Sequence, residues 1–234
     1  MPFPLECVIA RNAYGFYCIP TRSIARPAAA WVRDGKVWEQ DTISLICRSV
    51  DNGDVIHAGT FFGDFLPAIS KALHPSAKLW AFEPNPENFE AASMTARLNE
   101  LRNIELLPFG LSEKRARRKM MVRENGQWLG GGSRILVRDP TSGDETIEIN
   151  LIALDNVIPP YRRVSVLQLD VEEHENLALT GALRTISRWH PLIIIETYDE
   201  AWAATNLMPL GYRLAGKCHD NAVLSVREVS HLRR

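Results

Sequence analysis

Apolar positions along the chain fall into short runs of strand length, and most of these runs end in a small or acidic residue and are followed by a helical repeat. Val55–Ala58, Lys78–Phe82, Asn103–Phe109, Val164–Leu169 and Pro191–Ile195 are the runs. Between them lie stripes at helical spacing: Phe65, Leu66, Ile69, Ala72 and Leu73; Phe89, Ala92 and Ala96; Leu179, Ala182, Leu183 and Ile186. Strands that alternate with helices predict an α/β domain on a mostly parallel sheet. A helix at Trp202–Met208 and an antiparallel pair at Tyr212–Ala215 and Ala222–Val226 close it.

Two stretches depart from this rhythm. Residues 1–50 read as an N-terminal extension, with a hairpin of Leu5–Ala10 and Tyr14–Ile19 around Asn12-Ala13. Helices follow at Ala28–Arg33 and at Asp41–Val50, the second capped by Asp41. Tyr14, Tyr17 and Trp31 read as core aromatics. Within the remaining domain, 51–234, the alternation stops at about 119–152, where Met120–Arg123, Ile135–Arg138 and Thr146–Ile152 predict an antiparallel, β-rich insertion. Its loop Trp128–Ser133, with three glycines, is expected to be flexible and to lie beside the site, so Trp128 and Ser133 are candidates for acceptor contacts. The basic run Lys114–Lys119 just before it reads as a solvated face.

The candidate chemistry starts at His57-Ala58-Gly59-Thr60-Phe61-Phe62-Gly63-Asp64, a strand end, a glycine loop and a helix start. This order builds nucleotide sites in open parallel sheets. Asp64 is placed to cap the helix, with Pro67 in its first turn. The spacing is Gly-x-x-x-Gly, one glycine short of the dinucleotide fingerprint, and Asp64 would repel a pyrophosphate at the helix start. A cationic, phosphate-free nucleoside suits the loop better, and S-adenosylmethionine is the common one. Glu83 ends the second strand at roughly the 20-residue distance from the loop where a carboxylate grips ribose hydroxyls. Pro84 and Asn85 follow it, and the loop Gly110-Leu111-Ser112 ends the next strand, so these residues border the expected cofactor site.

Asp170 ends an apolar strand on the same rim and is the first candidate for the base or acceptor-orienting group. His174, one turn on and titrating near neutrality, is the second. Glu172, and Glu196 at the end of the next strand, are candidates for acceptor binding. Asp170, Glu172, His174 and Glu175 could offer ligands to a cation, but successive groups at a helix start do not converge without a further ligand, so no metal is expected.

At 234 residues and 46% hydrophobic, the chain can bury a full core. A net charge of −1 gives no general attraction to nucleic acid. Four cysteines without a Cys-x-x-Cys pair suggest reduced thiols rather than a zinc site or disulfides. The N-terminal stretch lacks the pattern of a signal peptide, and no run is long enough to span a bilayer, so a cytoplasmic protein is expected.

Three segments resemble the FkbM family of class I methyltransferases: Ile56–Gly63, Phe82-Glu83-Pro84-Asn85-Pro86, and Leu169-Asp170-Val171-Glu172-x-x-Glu175 with Gly181-Ala182 downstream. The resemblance runs from about residue 50 onward. It implies a seven-stranded Rossmann-like sheet, S-adenosylmethionine as cofactor, and methylation of a hydroxyl on a sugar, glycan or natural product. The chain departs from the family pattern at His57, where the family usually has Asp, and at Glu173, where it usually has Gly. His57 would then meet the methionine part of the cofactor. Two other readings stay open: a nicotinamide-dependent oxidoreductase, and a non-catalytic protein that keeps the fold.

Overall fold

The computed structural model describes residues 5–136, 144–229 and 232. The chain opens with the antiparallel hairpin β1 (Cys7–Arg11) and β2 (Phe16–Pro20). Asn12 shapes its turn, since its side-chain oxygen accepts the Tyr14 N–H at 2.9 Å while its own N–H donates to the Gly15 carbonyl at 3.0 Å. Helices α1 (Pro27–Arg33) and α2 (Gln40–Ser49) follow. Helix α2 is entered through Glu39 in a left-handed conformation (φ 43°) with no side-chain cap, so Asp41 sits in the first turn and is not the cap. Tyr17 is core, whereas Trp31 is 44% exposed and meets Trp38 edge-on.

Next come β3 (Asp54–Ala58), α3 (Leu66–Ala72), β4 (Leu79–Phe82), α4 (Pro86–Leu98) and β5 (Ile104–Leu107). The chain then leaves this sheet for a second one made of β6 (Gly110–Leu111), β7 (Ala116–Glu124), β8 (Gln127–Trp128), β9 (Arg134–Ile135) and β10 (Glu145–Ile152). Val137 and Arg138, the rest of the strand expected at 135–138, lie outside the described residues. It returns through β11 (Val164–Leu169), α5 (Glu175–Thr180), α6 (Leu183–Trp189), β12 (Leu192–Ile195), α7 (Glu200–Asn206), β13 (Arg213–Cys218) and β14 (Asn221–Ser225).

The large sheet has seven strands in the order β5-β4-β3-β11-β12-β14-β13, and β14 alone runs against the rest. This is the mostly parallel seven-stranded sheet expected from the sequence. Its central strands are mainly apolar because both faces are covered. Ile56, Phe82, Leu167, Leu169 and Ile193 pack with Leu179, Ala182 and Ile186 on one face. Val55, Leu79, Ala81, Val166 and Ile194 pack with Ile43, Ile46, Leu66 and Ile69 on the other. The N-terminal hairpin leans on α4, where the Cys18 N–H donates to the Thr95 hydroxyl at 3.0 Å. Among the described residues no helix is long and apolar enough to cross a membrane.

The stripe from Leu179 to Ile186 is carried by two helices, not one. The break is at Gly181, where a β-carbon would stand 2.0 Å from the Ser112 carbonyl oxygen, so the backbone of the loop after β6 runs hard against the chain there. The order of strands reverses between β3 and β11: the chain leaves β3 towards β4 and β5, then returns on the other side as β11. Ligands of open α/β sheets bind in the crevice at the carboxyl ends of the strands at such a point.

Candidate active site

Gly59 leaves β3 with φ +83°, a left-handed conformation that favours glycine. Its N–H donates to the Phe82 carbonyl at 3.1 Å, and the Thr60 N–H and hydroxyl reach the same oxygen at 3.3 and 3.2 Å. The loop is thereby tied to β4. Glu83, at the tip of β4, is 4% exposed and accepts the Phe61 N–H at 2.8 Å and the Asn85 N–H at 2.9 Å, one on each carboxylate oxygen. Each oxygen keeps a further lone pair. Burial pushes the Glu83 carboxyl up to about 7, while the two amides and Asn88 pull it back.

Two cavities open on either side of this loop. The first, about 430 Å³, is bordered by Gly59, Glu83, Pro84, Gly110, Leu111 and Ser133, together with Asn88, Phe109 and Met120. The second, about 790 Å³, is bordered by His57, Gly59, Asp64, Asp170, Glu172 and Glu196, together with Arg26, Trp38, Glu39 and Gln168. Gly59, Gly131 and Asp170 belong to both walls.

The loop of the second sheet is pinned rather than free. Gly130–Gly132 form a short 3-10 turn; the Gly130 carbonyl accepts the Ser133 hydroxyl at 2.7 Å and the Asn88 amide at 3.2 Å. This draws Gly131 over both cavities, with the Phe61 ring beneath it.

Asp64 does not cap α3. Phe65 holds the cap position without a side-chain bond, because the turn closed by the Gly63 N–H on the Thr60 carbonyl (2.8 Å) delays the helix. Asp64 borders the second cavity instead, and burial, then the neighbouring Glu39, pushes its carboxyl up to about 7. His57 pairs in register with Gln168 of β11, and its Nδ1 bonds the Gln168 Oε1. The ring stacks on Phe65 at 5.2 Å, and its Nε2 has no hydrogen-bond partner. Burial lowers this imidazole to about 4, so it is neutral near pH 7.

Asp170 and Glu196 leave the adjacent parallel strands β11 and β12 one residue after the paired Leu169 and Ile195. With Glu172 they bring carboxylate oxygens within 4.8 Å of one another. Burial, and then Glu196 and Glu172, raise the Asp170 carboxyl well above the usual carboxylate range. Glu172 and Glu173 both hold left-handed backbone, φ 53° and 70°.

Six sequence candidates border neither cavity. Thr60 and Gly63 shape the loop from within. Asn85 caps α4 by accepting the Glu87 N–H at 3.0 Å, and its amide reaches Ser133 at 3.4 Å. His174 is buried and its Nε2 pairs with the Ser112 hydroxyl at 3.1 Å, which takes both residues away from the crevice. Burial, with Arg118 nearby, lowers the His174 imidazole. Trp128 lies against Arg22 and Arg123, at 4.7 and 5.4 Å, in cation–π contacts, and packs half-buried on the apolar cluster of the second sheet.

Sequence reasoning missed Arg26, Trp38 and Glu39, which no motif marks. Gln168 left a signal: it is a polar residue inside an apolar strand, as His57 is in β3, and the two face each other.

The family model described as Methyltransferase FkbM domain matches residues 57–214, a span that holds the cavity-lining residues from His57 to Glu196 but not Arg26, Trp38 and Glu39. The chain belongs to the FkbM methyltransferase family. The crystal structure of the FkbM methyltransferase from Methylobacillus flagellatus KT is similar at a TM-score of 0.51 and 18% identity, over 75% of this chain. The chain spans 44% of that protein. A SAM-dependent methyltransferase from Aquifex aeolicus is similar at a TM-score of 0.46 and 13% identity, over 87% of this chain and 94% of that one. A comparison with curated proteins finds no match.

Proposed function

We propose that this chain binds S-adenosylmethionine and methylates a hydroxyl of a small molecule, sugar or glycan. The observation that carries the reading is the pairing of Gly59 and Glu83 across one cavity at the point where the sheet reverses its strand order. The residues fit the cofactor. Bare backbone at Gly59 allows close approach, and a buried carboxylate with a spare lone pair on each oxygen suits two vicinal hydroxyls. Glu83 would hold the ribose, Pro84, Phe109, Gly110 and Leu111 would enclose the base, and Gly59 with Asp64 would meet the methionine end. A dinucleotide suits the site less, since its pyrophosphate would face Asp64 and Glu39.

The bound cofactor supplies an electrophilic methyl group. Asp170 stands between the two cavities, where it orients an acceptor hydroxyl and takes up its proton. A positioned base contributes about 10²–10⁴-fold, and alignment of the reactants supplies much of the rest. Neutral His57 brings no negative charge where the family pattern has a carboxylate.

Calorimetric titration with S-adenosylhomocysteine tests the reading. One molecule should bind per chain, and Glu83→Ala should weaken it by about 1.5–3 kcal/mol. No binding to the intact chain, or equal binding by the variant, removes the assignment.

A further inference from the structure

We propose that Asp170, Glu172 and Glu196 form a divalent-cation site in the second cavity, and that the ion holds an acceptor presenting two adjacent oxygens. Three ligands come from two neighbouring strand ends, and their oxygens already lie within 4.8 Å of one another. Residues 170–175 alone lack a converging ligand; the end of β12 supplies it, Glu196, from outside that segment.

The charge around the cluster favours a cation. Glu39 and Asp64 border the same cavity, and Arg26 is the only cationic side chain on its described wall. Carboxylates gathered this closely repel unless a cation or protons sit among them.

A second observation points to an occupant. The buried His57 ring borders this cavity, and its Nδ1 is committed to Gln168 while Nε2 has no partner. With Nδ1–H donating, Nε2 is an acceptor, and a buried acceptor is normally satisfied. Water polarised by a bound cation is a hydrogen-bond donor of the kind this acceptor needs.

An all-oxygen set selects a hard ion such as Mg²⁺ or Mn²⁺. Three carboxylates leave about three positions of an octahedron open, enough for a vicinal diol to chelate. The acceptor half of the inference rests on the methyltransferase reading, whereas the cation half stands without it.

The test is calorimetric titration of the chelator-treated chain with Mn²⁺, alongside a separate metal-free titration with S-adenosylhomocysteine. We expect one Mn²⁺ per chain, at least tenfold weaker binding in Glu196→Gln and Asp170→Asn, and less than twofold change in Glu173→Gln. Retained S-adenosylhomocysteine binding shows that the variants are folded. No saturable Mn²⁺ binding, or equal weakening in all three variants, overturns the site even where the cofactor binds. Loss of S-adenosylhomocysteine binding with Mn²⁺ binding intact overturns the cofactor reading alone. For the acceptor, water-proton relaxation of the Mn²⁺ complex should fall on adding catechol but not phenol. An equal response to both overturns chelation.

Discussion

A β-carbon on Gly59 would lie 1.7 Å from the carbonyl oxygen of Asp170. The loop after β3 and the end of β11 are therefore in backbone contact, joined further by the Asp170 N–H on the Ala58 carbonyl at 3.0 Å. No rotamer change relieves such a clash, because the obstacle is main chain. Gly59→Ala must also hold an L-residue at φ +83°. Left-handed strain of about 1–2 kcal/mol adds to overpacking of about 1–3 kcal/mol. The urea midpoint should fall by the equivalent of at least about 2 kcal/mol; an unchanged midpoint would contradict the contact.

A ribose held by Glu83, as proposed above, makes cofactor affinity depend on pH. Its carboxyl, facing the Phe61 and Asn85 amides and Asn88, with Asp170 on the same cavity wall, is raised by burial to about 7. The unfolded value is about 4.3, so the protonated group stabilises the free chain fully below that pH. This contribution is lost as pH rises from there through about 7. Ribose hydroxyls donating to the carboxylate favour its ionised form, so binding releases a proton between these values. Affinity for S-adenosylhomocysteine should rise between pH 6 and 7.5 (about the window set by these values). The calorimetric heat should vary with the ionisation enthalpy of the buffer. Glu83→Gln should flatten both dependences, and a wild-type affinity without pH dependence refutes the linkage.

At the opposite end of β3, Asp54 is a structural carboxylate. It is 1% exposed and accepts Arg162 through both oxygens at 2.5 Å, the Trp80 ring N–H at 2.7 Å and the Lys78 N–H at 2.8 Å. Removing a buried acceptor so that its donors are left unsatisfied costs about 1–3 kcal/mol. Asp54→Ala should lose about that much stability in denaturant titration at pH 7, and a loss below about 1 kcal/mol would show the pair to be dispensable.

What was legible in the sequence was local. Gly59 and Glu83 were readable because one loop and the next strand end have a fixed relation in a parallel sheet, and Asp170 because it terminates an apolar run on the same rim. What escaped was tertiary. Glu39 and Arg26 reach the second cavity from the N-terminal helices, over contacts that no spacing encodes. Asp64 had the composition of a cap, yet the Thr60–Gly63 turn moved the helix start past it. His174 had the pKa of a catalyst, but Ser112 holds it in the packed side of the loop. Trp128 is taken up by two arginines and by the apolar cluster of the second sheet. The facing pair His57 and Gln168 could have been found, since two polar residues inside neighbouring apolar strands need each other.

Glu173 carries strain that glycine would lack. It follows Glu172 in a second consecutive left-handed conformation, at φ 70°, and its side chain is exposed. The family pattern places glycine here, for which this backbone is free. The gain of about 1–2 kcal/mol from relieved strain exceeds the roughly 0.4–1 kcal/mol that glycine adds to unfolded-chain entropy. Glu173→Gly should therefore raise the urea midpoint slightly. A clear fall would mean that the Glu173 side chain makes a contribution its exposure conceals.

In the proposed reaction the chemistry turns on Asp170. It borders both cavities, leaves β11 beside Gly59, and shares its surroundings with Glu172 and Glu196. Asp170→Asn keeps the shape and the backbone bond to Ala58 while removing the basic oxygen and its charge. If Asp170 holds the acceptor and receives its proton, turnover should fall about 10²–10⁴-fold. S-adenosylhomocysteine affinity should stay within a few-fold, because Glu83 and the Gly59 loop are untouched. His174→Gln is the companion variant: with the ring tied to Ser112 outside the crevice, it should alter stability more than turnover. The two variants together separate catalysis from folding. Turnover in Asp170→Asn within a few-fold of wild type would remove Asp170 from the reaction, and a large loss in His174→Gln with full cofactor binding would put the base on the other side of α5.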